Sequence, residues 1–77
     1  MEYTPKEYKF AREIAESLQD MDSLGLHIKF VQTYSEAFLR KILNKVLSIP
    51  EEKIRKTRGA LYTSLVKQQG NEYRPRD

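Results

Sequence analysis

The chain has 77 residues, no cysteine, one histidine and a formal net charge of +3, a size that allows one domain with a small core. Without cysteine, disulfides and thiolate metal sites are excluded, and His27 has no second histidine with which to share a metal. No apolar run approaches the roughly 20 residues of a membrane-spanning helix, and the charged N-terminal stretch does not match a secretory signal. These properties predict a cytoplasmic protein with no cofactor and no membrane contact.

Charge is distributed unevenly along the chain. Residues 1–38 carry four basic and seven acidic side chains, whereas residues 39–77 carry ten basic and four acidic ones. This asymmetry indicates that the basic half faces an acidic partner, either nucleic acid or an acidic protein. The alternative is a bipolar, solvated surface whose acidic half attracts the basic half of a second copy, giving a homodimer.

The hydrophobic pattern predicts an all-α fold, a compact bundle of four to five short helices at about residues 5–20, 23–34, 35–47, 49–57 and 59–69. The first helix begins at Thr4-Pro5, where Thr4 is the N-cap, Pro5 suits the first turn and Glu7 completes a capping box. Its apolar residues recur at helical spacing on one side: Tyr8, Phe10, Ala11, Ile14, Ala15 and Leu18.

Residues 24–30 fit two structures. Their apolar side chains alternate strictly, which is the strand pattern, but the chain offers no second strand to pair with them. Read as a helix capped by Asp22 or Ser23, the segment has one stripe, with Phe30 beside it, made of Leu24, His27, Ile28, Val31 and Tyr34. We favour the helix, in which His27 is a partly buried structural residue rather than a catalytic one.

The central helix, residues 35–47, has the clearest start and the cleanest division into two faces. Ser35 is its predicted N-cap, and Glu36 lies at the positive end of the helix dipole. The apolar half of its wheel comprises Phe38, Leu39, Ile42, Leu43, Val46 and Leu47, and the polar half comprises Arg40, Lys41, Asn44 and Lys45.

The remaining chain contains a short helix, a glycine and a last helix. Ser48, Pro50 and Glu51 form the start signal of the helix at 49–57. Gly59 is then either a left-handed C-cap or a tolerated glycine within one longer helix. Residues 1–70 are predicted to form a single helical domain, and the aperiodic residues 71–77 a flexible tail.

The basic residues are the best indication of function. Catalysis is not expected, because the sequence has no nucleophile with a base, no acid/base carboxylate pair and no glycine-rich phosphate loop. Clustered lysines and arginines, with Thr57, Thr63 and Ser64 nearby, are instead typical of phosphate binding. Lys53 belongs to the densest basic segment, KIRKTR. The predicted nucleic-acid-binding residues are Arg40, Lys41, Asn44, Lys45, Arg55, Lys56, Arg58 and Lys67. The alternative is a protein-interaction or regulatory domain that uses the acidic first helix or the tyrosines near the termini, Tyr3 and Tyr73.

Residues 31–70 resemble the small C-terminal helical module of DnaD-like and plasmid replication-initiator proteins. The matching order is a helix, a lysine-rich turn, a glycine and an aromatic-leucine helix start, carried here by Tyr34, Ile54, Lys56, Gly59, Leu61, Tyr62 and Leu65. Those modules commonly have Asn-Pro before the glycine, where this chain has Thr57-Arg58. The resemblance implies a DNA-associated accessory role in replication.

Overall fold

The computed structural model describes residues 3–70, which form four α-helices and no strand. The helices are α1 (Pro5–Ser17), α2 (Leu24–Thr33), α3 (Glu36–Leu47) and α4 (Arg58–Gly70). Single 3-10 turns, Met21–Ser23 and Glu51–Lys53, precede α2 and α4. The predicted all-α class is thereby confirmed. The predicted flexible tail, residues 71–77, lies outside the described residues.

The start of α1 is the capping box that the sequence predicts. The Glu7 backbone N–H donates to Thr4 Oγ1 at 3.1 Å, and the Thr4 N–H donates to Glu7 Oε1 at 2.9 Å. Two N–H groups that lack helical partners are therefore satisfied. The helix ends at Ser17, earlier than the predicted residue 20, because Gln19 turns into the left-handed region at φ 55°.

Residues 24–30 form a helix, as favoured, and not a strand. In α2 the spacing of His27, Ile28 and Phe30 buries all three side chains, and the helix packs mainly against α1. Ser23, one of the two predicted capping residues, occupies the N-cap position of α2, but its side chain makes no cap hydrogen bond. The preceding 3-10 turn instead leads the chain into the helix.

Ser35 caps α3, where its Oγ accepts from the Phe38 N–H at 3.2 Å. Most of the predicted apolar face is buried, but Leu47 remains 42% exposed at the end of the helix. With the other helices, α3 encloses one core made of Phe10, Ile14, Leu18, Phe30, Leu39, Ile42, Leu43, Val46, Tyr62 and Val66. The four helices, α1 to α4, thus surround one core, as predicted for the first three helices and the last.

The predicted helix at 49–57 is wrong, since only the turn Glu51–Lys53 is helical. Ser48 does not start this segment, because its hydroxyl donates to the Lys45 carbonyl at 2.8 Å and so completes the end of α3. Pro50 contributes no N–H, and Ile54 is extended at φ −94° and ψ 118°. So short a segment gains too few hydrogen bonds to offset the cost of helix nucleation.

Thr57 directly precedes α4 and caps it, since its Oγ1 accepts from the Ala60 N–H at 3.0 Å. Gly59 lies in the first turn of α4, and no described glycine has a positive φ. The left-handed interpretation of Gly59 is therefore wrong. The glycine is needed for a different reason, the close approach of a neighbouring side chain described below.

Candidate nucleic-acid interface

The non-helical segment before α4 and the first two turns of that helix enclose a recess of about 420 Å³. Ile54 is half-buried, while the basic residues beside it, Lys53, Arg55 and Lys56, are exposed. We call this concavity the loop recess. Its lining residues are Lys53, Ile54, Arg55, Lys56, Thr57, Ala60, Leu61 and Ser64.

The loop recess is cationic and lacks acidic lining residues. Lys53, Arg55 and Lys56 line it, and none of the three forms an ion pair with a described residue. The hydroxyls of Thr57 and Ser64 add neutral hydrogen-bonding groups to the same wall. Unpaired cations beside hydroxyl donors are the groups that bind phosphate oxygens.

Arg40 has a different environment from the other predicted binding residues. Its guanidinium donates to Glu13 at 3.1 and 3.4 Å and to Glu36 at 2.9 Å, and it lies 4.7 Å from the centre of the Phe10 ring. Hydrogen bonds to Glu13, and then to Glu36, raise the pKa of Arg40 above its ordinary value. Arg40 therefore connects α3 to α1, and its donors are engaged within the domain.

The other predicted residues lie apart from the loop recess. Lys41, Asn44 and Lys45 are exposed on α3, and Lys67 is exposed in the last turn of α4. None of these four lines the recess. Of the eight predicted binding residues, the structure thus brings only Arg55 and Lys56 to this recess, and it adds Lys53.

Arg58 lines a second recess of about 350 Å³ together with Gln19, Glu51 and Lys56, and this recess shares Ile54, Lys56 and Thr57 with the loop recess. The residue is half-buried, and its Nε is enclosed without a hydrogen-bond partner among the described residues. Arg58 is thus less accessible to a large partner than Arg55, which is exposed.

A buried polar cluster lies beneath the start of α4. His27 is fully buried rather than partly so, and its Nε2 lies 3.1 Å from Asp20 Oδ2. Its ring packs against Tyr62 at a centroid separation of 5.5 Å. A Cβ on Gly59 would lie only 2.5 Å from the Asp20 carboxylate. The cluster therefore joins the end of α1, the middle of α2 and the first turn of α4.

Sequence reasoning does not reveal this cluster, because its members are far apart in the chain. The only signals are a single histidine in an apolar stripe and a glycine near a helix start. The Tyr62 hydroxyl is buried without a hydrogen-bond partner among residues 3–70, and burial raises the pKa of Tyr62 well above its ordinary value. The neutral phenol is thus strongly favoured in the folded protein.

Within the described part of the chain, no three acidic, histidine or cysteine side chains are grouped to hold a metal ion. No helix in residues 3–70 is long and apolar enough to cross a membrane. Comparisons with protein-family models, curated proteins and solved structures find no match to this chain.

Proposed function

We propose that this protein is a small, non-enzymatic nucleic-acid-associated module that binds phosphates through the loop recess. The observation that carries the proposal is the set of three cations, Lys53, Arg55 and Lys56, which line one concavity and have no ion pair with a described residue. Exposed cations left unpaired keep their full attraction for a polyanion, and binding releases the counterions of the nucleic acid.

The remaining exposed basic residues fit this proposal as secondary contacts. Lys41, Lys45 and Lys67 are free of ion pairs with described residues, and Asn44 lies between the two α3 lysines. Such side chains raise affinity and attraction over a distance without specifying a sequence. Arg40 is not part of the proposed contact surface, because the two glutamates already bind its guanidinium.

The resemblance to the DnaD-like and plasmid replication-initiator module extends the proposal to an accessory role in replication. Three of the residues that carry this resemblance, Ile54, Lys56 and Leu61, line the loop recess. The proposed binding surface and the resembling stretch therefore occupy the same part of the chain. The role in replication rests on the resemblance, whereas phosphate binding rests on the charges and their placement.

Fluorescence anisotropy with labelled DNA and RNA oligonucleotides at two or more salt concentrations tests phosphate binding. We expect affinity to fall steeply with salt. Replacing Lys53, Arg55 and Lys56 together by alanine should reduce the slope of log K against log salt by about 2 on a single strand, because each lost phosphate contact removes about 0.7.

The matched control replaces three exposed lysines of the acidic half, Lys6, Lys9 and Lys29, by alanine. The net charge changes by the same amount in both variants, so a purely global charge effect would weaken both equally. Equal weakening, or no binding of the wild-type protein even at low salt, contradicts the proposal. The variant of the acidic half is expected to keep most of the affinity and most of the salt slope.

One observation favours the alternative of a protein-interaction domain, homodimeric or with an acidic protein. Met21 and Leu47 are large apolar side chains that remain 43% and 42% exposed. Tyr3 supports this alternative less, because its ring stacks on Tyr8 at 5.8 Å and is half-buried. Sedimentation velocity over a range of concentrations tests self-association. A dimer that dissociates on Leu47→Ser, combined with no nucleic-acid binding, would favour this second function.

A further inference from the structure

The shape of the loop recess differs from the surface that reads duplex DNA. Duplex recognition in the major groove uses a protruding helix or ribbon that enters the groove. Here the three cations lie around a concavity, whose volume of about 420 Å³ falls within the roughly 300–1,000 Å³ of small-molecule sites. A concavity of this size accepts a single group as large as one base. The backbones of a double helix are too wide to enter it.

Three of the residues that line the recess are apolar, which phosphate binding alone does not require. Ile54 and Leu61 contribute half-buried aliphatic surface, and Ala60 leaves the space above the helix open. Apolar surface within a cationic site suits a ligand that has an apolar face with negative charge around it. An unpaired nucleobase, flanked by its own phosphates, has this distribution.

Two polar residues of the lining complete the match. Arg55 is exposed and lines the recess, and its guanidinium can donate two parallel hydrogen bonds to one phosphate. Thr57 Oγ1 already accepts from the Ala60 N–H, so its own proton remains to be donated to a base or phosphate oxygen. The cations of the recess therefore suit the phosphates of a nucleotide, and its apolar residues suit the base. The polar groups of the lining can bind a base or phosphate oxygen.

We infer that the loop recess holds an unpaired nucleobase, so that the module binds single-stranded in preference to duplex nucleic acid. This inference rests on the proposed function and deepens it. The base lies on Ile54 and Leu61, and the adjacent phosphates lie on Lys53, Arg55 and Lys56. An acidic peptide with an apolar side chain is the competing occupant. We favour the nucleotide because its phosphates directly flank its apolar face, which matches three cations around a partly apolar lining.

The test compares four probes on the full chain: a single strand, a duplex of equal length, the same single strand with abasic sites, and a peptide of alternating glutamate and leucine. The structural variant fills the recess without changing charge, by Ala60→Leu and Ser64→Leu. Its matched control is Gln68→Leu, an exposed position of the same helix outside the recess. Circular dichroism verifies that the variants keep their helical content.

We expect the single strand to bind more tightly than the duplex. Abasic substitution and the recess-filling variant should each weaken single-strand binding by roughly 5-fold, the lower end of the range for a base stacked on an aromatic ring, because the recess offers aliphatic surface instead. Gln68→Leu should leave the affinity unchanged. Equal affinity for single strand, duplex and abasic strand, with no effect of filling the recess, overturns the inference but leaves phosphate binding intact. If no oligonucleotide binds, the proposed function itself fails. Binding of the peptide alone, abolished by the recess-filling variant, identifies a protein-docking site and also overturns the inference.

Discussion

Replacing Gly59 by alanine tests whether the buried polar cluster fixes the start of α4 beside the loop recess. A Cβ at this position would lie 2.5 Å from both Cγ and Oδ2 of Asp20. Asp20 is not free to retreat, because its Oδ2 is 3.1 Å from Nε2 of the fully buried His27. The added methyl group therefore fits only if the carboxylate moves away from the imidazole.

The expected cost follows from that displacement. A buried polar group left without its partner costs about 1–3 kcal/mol, and Nδ1 of His27 has no partner among the described residues either. Replacement of glycine by alanine recovers about 0.4–1 kcal/mol, since alanine restricts the unfolded chain. The net destabilisation of Gly59→Ala is therefore between about 0 and about 2.6 kcal/mol, centred on about 1.3 kcal/mol. In a domain of this size each kcal/mol lowers the melting temperature by roughly 4–8 °C.

Gly25 provides the matched control for Gly59. It lies in the first turn of α2, and a Cβ there would meet nothing within 4 Å. Gly25→Ala should therefore stabilise the protein by about 0.4–1 kcal/mol, the ordinary effect of removing a glycine from an unstrained helix. Urea and thermal denaturation, followed by far-UV circular dichroism, measure both variants.

A double-mutant cycle with Asp20→Ala isolates the proposed contact. Without the carboxylate the strongest conflict disappears, although the Asp20 Cβ remains 3.0 Å from the new methyl group. Gly59→Ala should then be within about 0.5 kcal/mol of neutral, and the coupling between the two positions about 1–2 kcal/mol. If Gly59→Ala stabilises the wild-type protein as much as Gly25→Ala does, the Asp20 side chain is not held and the reasoning is refuted.

Three further substitutions test the core, the contact between α1 and α3, and a helix start. Tyr62→Phe removes a buried hydroxyl that has no partner among the described residues and should be neutral or stabilising by up to about 1 kcal/mol near pH 7. Because burial raises the pKa of Tyr62, the phenol of the folded protein stays protonated while that of the unfolded chain ionises above about pH 10, so stability falls above that pH by up to roughly 1.4 kcal/mol per pH unit; a melting series from pH 8 to 11 should show Tyr62→Phe losing less than the wild-type protein. Arg40→Met should lower the melting temperature slightly, and high salt should reduce the difference, because the lost ion pairs with Glu13 and Glu36 are exposed; nucleic-acid affinity should change far less than in the Lys53/Arg55/Lys56 variant. Ser35→Ala removes the hydroxyl that caps α3 and should cost about 1 kcal/mol of unfolding free energy, whereas replacement of the exposed, uncapping Ser17 should have little effect in the same denaturation assay.

Local signals predict those parts of the fold in which local chemistry decides the structure. The first turn of α1 has its free backbone N–H groups capped by Thr4 and Glu7, with Pro5 between them, whatever packs against the helix. Ser35 caps the start of α3 in the same way. The all-α class also follows from local reasoning, because residues 24–30 lack a strand partner and their helical face carries His27 and Ile28 inward. Apolar periodicity then identifies most of the core.

Contacts between distant residues are not visible to such reasoning. The helical wheel places Arg40 on a polar face, which is correct, but it does not show that Glu13, 27 positions earlier, reaches the same guanidinium. The wheel likewise places His27 beside an apolar stripe without showing Asp20 or the ring of Tyr62. A residue's availability to a partner depends on these contacts, so the sequence alone does not show which basic side chains are free of internal hydrogen bonds.

The misassigned segment at 49–57 is also what gives the proposed site its form. In a regular helix, Lys53 and Arg55 would point about 200° apart, since side chains two positions apart do not share a face, and the cations would cover a convex surface. The proline, the single 3-10 turn and the extended Ile54 break that periodicity. As a result, Lys53, Arg55 and Lys56 line one concavity with Leu61. The segment at 49–57 thus places its basic side chains around a recess because the segment does not form a complete helix.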